Sequence, residues 1–269
     1  MEAPVAPVIV KLGGSVLTRK REAPRVRAKV LDRLAEELSG LPAGALVVLH
    51  GAGSYGHPGA VRFHLAEPPG AIPAHERTRG AALVSAEVRR LHGAVLRALL
   101  DRGVNAWSVP PATVARQKAG VLTGVDPAAF TDALDRGLVP VAFGDVVPDA
   151  DWGSSILSAD TLALALAPPL HARRVLFVSD VDGVLRYPPG HPGRPEVYPT
   201  VDAAILAALH PSRGAPDVTG GIRGKVRTML ELAALGVDAG LISGLRHGAL
   251  HRAVRGESVY GSWSKPDPR

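Results

Sequence analysis

Apolar strands that end in glycines and pass into helices constrain this chain more than any other feature. "APVIVKLGGS" (6–15) is a β-branched run broken by Gly13 and Gly14, and "ALVVLHG" (45–51) runs straight into "HGAGSYGH" (50–57). Between and after them the hydrophobic period changes from two to about 3.6. Leu31, Leu34 and Leu38 mark one face of a helix near 25–39. Val84, Val88, Leu91, Val95 and Leu99 mark a longer one over 74–102, which Asp101-Arg102-Gly103 ends. Strands are predicted at 104–110 and 138–145 with a short helix near 126–136 between them. A helix at 158–167 has Ser158 as its N-cap and Asp160 in its first turn. A strand at 173–184 runs into an acidic turn. A helix at 220–236 then precedes short strands at 237–244 and 257–262. Strands alternating with helices imply an α/β fold: a three-layer αβα sandwich with a largely parallel central sheet. One domain spanning 1–269 is expected, with a subtle division near residue 170.

Composition supports a buried core made mostly of Ala, Val and Leu, since 46% of residues are hydrophobic and only 4% aromatic. Cysteine is absent, which excludes disulfides, thiolate nucleophiles and cysteine-based zinc sites. No apolar run reaches the ~18 residues of a membrane span, and no signal pattern opens the chain, so a cytoplasmic protein is expected. The 31 basic residues exceed the 25 acidic ones by only six. They are dispersed and not interleaved with aromatics, which suits a small anionic ligand and argues against nucleic acid.

The turn at 50–57 fits two phosphate-binding patterns and satisfies neither. Gly51, Gly53 and Gly56 spell the dinucleotide fingerprint, but the nearest acid at the required distance, Glu76, lies beside Pro73 with no strand pattern. Gly51 and Gly56 also open a P-loop, yet His57-Pro58 stands where Lys-Ser/Thr is required. A glycine-rich turn without a ligand is the plain alternative. Other elements shift the balance. Lys11 precedes Gly13-Gly14 and Lys20 follows them; Lys225 lies just after Gly220-Gly221; Asp145 and Asp180 each stand at the predicted end of a strand. In an open parallel sheet, ligands collect at that edge, and lysines with glycine turns are equipment for phosphate charge. Lys11 at the end of a buried strand needs an anionic partner. Lys20, in "TRKRE", reads equally as solvated surface. Lys225 opposes the helix macrodipole where it sits, which points to a ligand.

"VIVKLGGS…TRK", "HGAGSYGHPGA", "VPVAFGDVV", "GSSILSAD", "FVSDVDGV" and "DVTGGIRGKV" occur in that order. Together they resemble the amino acid kinase superfamily over about residues 8–262, most closely its branch that phosphorylates isopentenyl phosphate. The resemblance implies that Lys11, Gly13, Gly14 and Ser15 contact ATP phosphates and that Lys20 stabilises the transition state. It implies that Gly53 faces the transferred phosphoryl group, while Ala52, His57 and Gly153 bind the acceptor. Asp145 would orient lysines. Asp180 and the segment around Tyr187 would border the nucleotide, and Gly221 and Lys225 would complete the ATP site. It further implies Mg²⁺ with the nucleotide, no metal site built by the chain, a homodimer, an acceptor part over roughly 1–170 and a nucleotide part over roughly 171–269. The chain departs from the usual pattern at Ala52, where glycine is common, and at Tyr55, where phenylalanine is. Three rivals stay open: a fosfomycin kinase-like or other small phosphate or phosphonate kinase, a non-catalytic nucleotide sensor on the same fold, and, third, a nicotinamide-dependent oxidoreductase.

Overall fold

The computed structural model describes residues 6–19, 24–42, 44–187, 196–209 and 221–266. The main sheet has seven strands in the order β11-β10-β9-β1-β2-β6-β3. These are β1 (Val8–Leu12), β2 (Leu46–His50), β3 (Ala106–Ser108), β6 (Val139–Phe143), β9 (Arg174–Ser179), β10 (Asp238–Ser243) and β11 (Gly261–Ser264). All neighbours pair in parallel except β10 and β11. The expected strand at 257–262 is therefore shifted toward the C-terminus. Gly261 opens it, and a Cβ there would lie 2.6 Å from the Leu241 carbonyl oxygen.

Alternation along the central strands sorts side chains into two cores. Ile9, Val47, Leu49, Val175, Phe177 and Leu241 face one way, against α6 (Ala128–Asp135), α7 (Ala159–Leu166) and α9 (Gly221–Ala234). Val8, Val10, Leu46, Val48, Leu176 and Ile242 face the other, against α2 (Ala28–Glu37), α4 (Ala74–Asp101) and α10 (Ala249–Val254). Burying both faces yields the three layers and explains why these strands read as continuous apolar runs. The remaining helices are α1 (Gly14–Leu17), α3 (Gly53–Arg62), α5 (Pro111–Val114) and α8 (Ala203–Ala208). Among the described residues, no helix is long and apolar enough to cross a membrane.

A second sheet, absent from the sequence-based expectation, has the order β5-β4-β7-β8. It comprises β4 (Ala115–Lys118), β5 (Val121–Val125), β7 (Asp145–Asp149) and β8 (Gly153–Leu157). The predicted strand at 138–145 ends early, at Phe143. Gly144 breaks it, and Asp145 opens β7 rather than closing β6. Asp149 ties this sheet's turns together: its carboxylate accepts from the N–H groups of Ala119, Gly120, Asp151 and Trp152 and from the Ser155 hydroxyl. Burial alone would raise its pKa, but these donors outweigh burial and hold it below the usual carboxylate range.

Glu37 performs a similar task on the far layer. At the end of α2, its carboxylate accepts from the backbone N–H groups of Gly248, Leu250 and His251, so a side chain distant in sequence caps α10. Arg33 bonds both that carboxylate and the Gly244 carbonyl. Glu37→Ala leaves three N–H groups without their partner. A loss of about 2–3 kcal/mol in chemical denaturation is expected, with the catalytic KM values unchanged.

Candidate active site

Lys11 projects from β1 on the same face as Ile9, which aims it at α7 and α9. Its Nζ lies 2.7 Å from Asp160 Oδ1, and Lys225 Nζ, from α9, lies 2.5 Å from Asp160 Oδ2. All three side chains are nearly buried, and Lys225 also stands 5.1 Å from the centroid of the Phe177 ring. Phe177 is the residue opposite Lys11 on the neighbouring strand. Burial is the largest influence on Lys11; Asp160 opposes it and Lys225 adds to it, and together they lower the pKa to about 8. Burial alone would raise the pKa of Asp160, but the two ammonium groups prevail and keep it well below the usual carboxylate range. The Ser158 hydroxyl caps α7 by accepting from the Thr161 N–H, so Asp160 also sits in the favourable first turn of that helix.

The two glycine turns meet backbone to backbone. A Cβ on Gly14 would lie 2.4 Å from the Gly53 nitrogen, and one on Gly51 would lie 2.8 Å from the Gly14 nitrogen. Gly53 has φ +52° and no room for a side chain, since a Cβ there would meet Thr18 Oγ1 at 2.2 Å. Thr18 fastens the seam. Its hydroxyl donates to the Gly14 carbonyl and accepts from the Ser54 N–H. Sequence reasoning quoted Thr18 within "TRK" but gave it no role, because its contact with Ser54 across the two turns depends on the fold. Ala52 turns its methyl onto the apolar cluster of Leu65, Val84, Val88 and Phe143.

Beyond β9 and β10 lies a cavity of about 380 Å³ lined by residues that include Asp180, Asp182, Ser243 and Arg246. Ser15 Oγ donates to Asp180 Oδ1 at 2.6 Å, linking the first glycine turn to this cavity. Arg246 forms a two-pronged pair with Asp182, whose pKa its hydrogen bond lowers.

The structure thus gathers Lys11, Gly13, Gly14, Ser15, Gly53, Asp180 and Lys225 at one edge of the main sheet. Gly221 opens α9 with φ +58°, one turn before Lys225. Asp145 departs from the expected role as far as the described residues go: it pairs with an arginine and with no described lysine. Its carboxylate accepts from the Val146 N–H and the Ser85 hydroxyl and pairs with Arg89, while burial raises its pKa. The acid that holds Lys11 and Lys225 is Asp160. Gly153 opens β8 in the hairpin with β7; φ of +72° accounts for the glycine there. His57 lies half-buried in α3, and Tyr187 is exposed. Lys20 and Gly220 fall outside the described residues.

Charged side chains on one buried carboxylate, beside two glycine turns, suit transfer between two anionic groups. Residues 6–242 match the Amino acid kinase family, and the chain belongs to that family. Within the family it is similar to isopentenyl phosphate kinases over most of its length. The isopentenyl phosphate kinase of Methanothermobacter thermautotrophicus is 37% identical over 260 residues, covering 95% of this chain and 97% of that protein. That of Haloferax volcanii is 39% identical over 229 residues, covering 84% and 88%. A crystal structure of an isopentenyl phosphate kinase superposes with a TM-score of 0.82 at 33% identity, covering 95% of this chain and 99% of that one.

Asp160→Asn keeps the shape and removes the charge that holds two ammonium groups together. Turnover should fall at least tenfold, and stability should fall by about 3–5 kcal/mol, as for other broken buried pairs. A bound polyphosphate favours the ammonium form of Lys11 and raises its pKa above about 8. Nucleotide binding near pH 8.5 should therefore take up protons, and affinity should weaken as pH rises further. Calorimetry in buffers of differing ionisation enthalpy measures that uptake.

Proposed function

We propose that this chain transfers the γ-phosphoryl group of ATP to isopentenyl phosphate, forming ADP and isopentenyl diphosphate. The observation that carries the reading is the seam itself: the Gly14 turn and the Gly53 turn touch through backbone alone, beside the Lys11–Asp160–Lys225 cluster. Two phosphates seated on opposite sides of such a seam approach each other without an intervening side chain. The named relatives support the choice of acceptor.

A phosphate monoester has a second pKa of about 6, so its attacking oxygen is already anionic at neutral pH. No general base is required; the obstacle is repulsion between donor and acceptor. Lys11 and Lys225 would offset it as charge spreads over the transferred group, with Asp160 holding both ammonium groups in place. Lys20 would join them, as the resemblance implies. His57 would hydrogen-bond the non-attacking oxygens of the acceptor phosphate, which explains a histidine where a P-loop has lysine. The acceptor's apolar tail would lie against the cluster around Val84, Val88 and Phe143, which Ala52 adjoins. Under this reading the acceptor half covers roughly 1–170 and the nucleotide half 171–269.

Among the described residues, no group of three or more His, Asp or Glu could hold a metal ion. Nothing above is routed through Mg²⁺, which commonly binds through substrate phosphates and water. The resemblance also implies a cytoplasmic homodimer, which sedimentation would test.

ADP release should be measured with isopentenyl phosphate, dimethylallyl phosphate and fosfomycin in parallel. Preference for the prenyl phosphates supports the proposal, and preference for fosfomycin overturns it. His57→Ala should raise acceptor KM at least tenfold with ATP KM within twofold. Lys20→Ala should lower kcat, on the scale of about 2–4 kcal/mol of transition-state stabilisation.

A further inference from the structure

Two buried histidines take no part in the chemistry set out above. His50 ends β2 immediately before the second glycine turn, and His92 faces it from α4; their exposures are 0% and 5%. His50 Nδ1 lies 3.1 Å from the Gly51 carbonyl oxygen, and His50 Nε2 lies 3.0 Å from His92 Nδ1. His92 Nε2 lies 2.8 Å from the Ser108 hydroxyl. The rings stack 5.3 Å apart, and both lie against Phe143.

The carbonyl at one end determines every proton in this chain. It can only accept, so His50 carries its proton on Nδ1, and Nε2 of the neutral ring accepts. His92 then donates from Nδ1 and accepts at Nε2 from Ser108. Burial keeps both rings neutral, lowering the His50 pKa to about 3 with help from the nearby His92 and that of His92 to about 4 with help from Arg89.

The Gly51 carbonyl shares its peptide with the Ala52 N–H, and no peptide among the described residues is cis. In a trans peptide the two groups point in opposite directions, so holding one aims the other. The carbonyl is held on the α4 side. The N–H therefore points away from α4, toward the side of the sheet where Asp160 and its lysines stand. Flanking bonds from Gly51 N–H to Leu12 and from Gly144 N–H to the His50 carbonyl stop the turn from swinging as a whole.

We propose that Ser108, His92 and His50 form a positioning relay that presents the Ala52 N–H to the acceptor's phosphate. The inference rests on the reading that the 51–57 turn seats that phosphate. His50→Phe removes the grip on the carbonyl while keeping an aromatic ring. His50→Asn restores it, because the asparagine amide nitrogen occupies the place of Nδ1. Acceptor KM should rise at least tenfold in the Phe variant and return to within about threefold of the parent in the Asn variant, with ATP KM unchanged in both. Ser108→Ala should raise acceptor KM only two- to threefold. Equal acceptor KM in the Phe and Asn variants, or a parallel rise in both substrates' KM, overturns the relay. Ring-nitrogen NMR of the parent protein at pH 7 should show Nδ1–H on both histidines, and Nε2–H on His50 overturns it too. That spectrum needs no substrate. If the parent turned over no phosphate-bearing acceptor, the acceptor reading and the relay's purpose would fall together, whereas wrong ring tautomers would overturn the relay alone.

Discussion

One carboxylate shared by two ammonium groups anchors this site. Asp160 comes from the first turn of α7, Lys11 from the central strand and Lys225 from α9. Each lysine alone would be costly to bury, and both together would repel. The carboxylate turns that repulsion into a tie between sheet and helices. It also leaves a net surplus of one positive charge when both lysines are protonated, in surroundings where charges act strongly because water is scarce. The same contact therefore fixes the packing of one layer and prepares the edge for an anionic ligand.

The glycine seam supplies what charge cannot, which is closeness. Under the proposed function, lysines would attract two phosphates, and bare backbone lets the loops that would hold them touch. Thr18 fixes the spacing by engaging both turns. Behind the second turn, α4 contributes in two ways: Val84 and Val88 form an apolar floor, and His92 reaches His50 beneath the peptide at the mouth of the turn. A single long helix thus lies under both the proposed tail and the proposed phosphate of one ligand.

Much of this was legible in the residue order. The alternating periods implied the layers, and Lys11 at the end of a buried strand signalled a missing anion. Its partner was not legible. An aspartate in the first turn of a helix has an ordinary local explanation, so Asp160 read as a helix-start preference. Asp145 looked better placed because the run 138–145 seemed one strand; the break at Gly144 depends on β7 pairing with β8, a contact between segments that sequence spacing does not reveal. The second sheet escaped for a related reason. Its strands are short and carry Arg116, Lys118 and Gly124, which dilute the strand signal. His50 and His92 were hidden among ten histidines, where no single one stands out.

The seam between Gly14 and Gly53 also divides the molecule into parts that tolerate change and a part that does not. Any side chain at the junction would wedge the two glycine turns apart, so evolution or engineering toward a bulkier acceptor would find no freedom there. Room for novelty lies at the other end of the ligand, where methyl and isopropyl groups on α4 can be trimmed one at a time. Selectivity in this scaffold should drift by reshaping the floor while the hinge of bare backbone stays frozen.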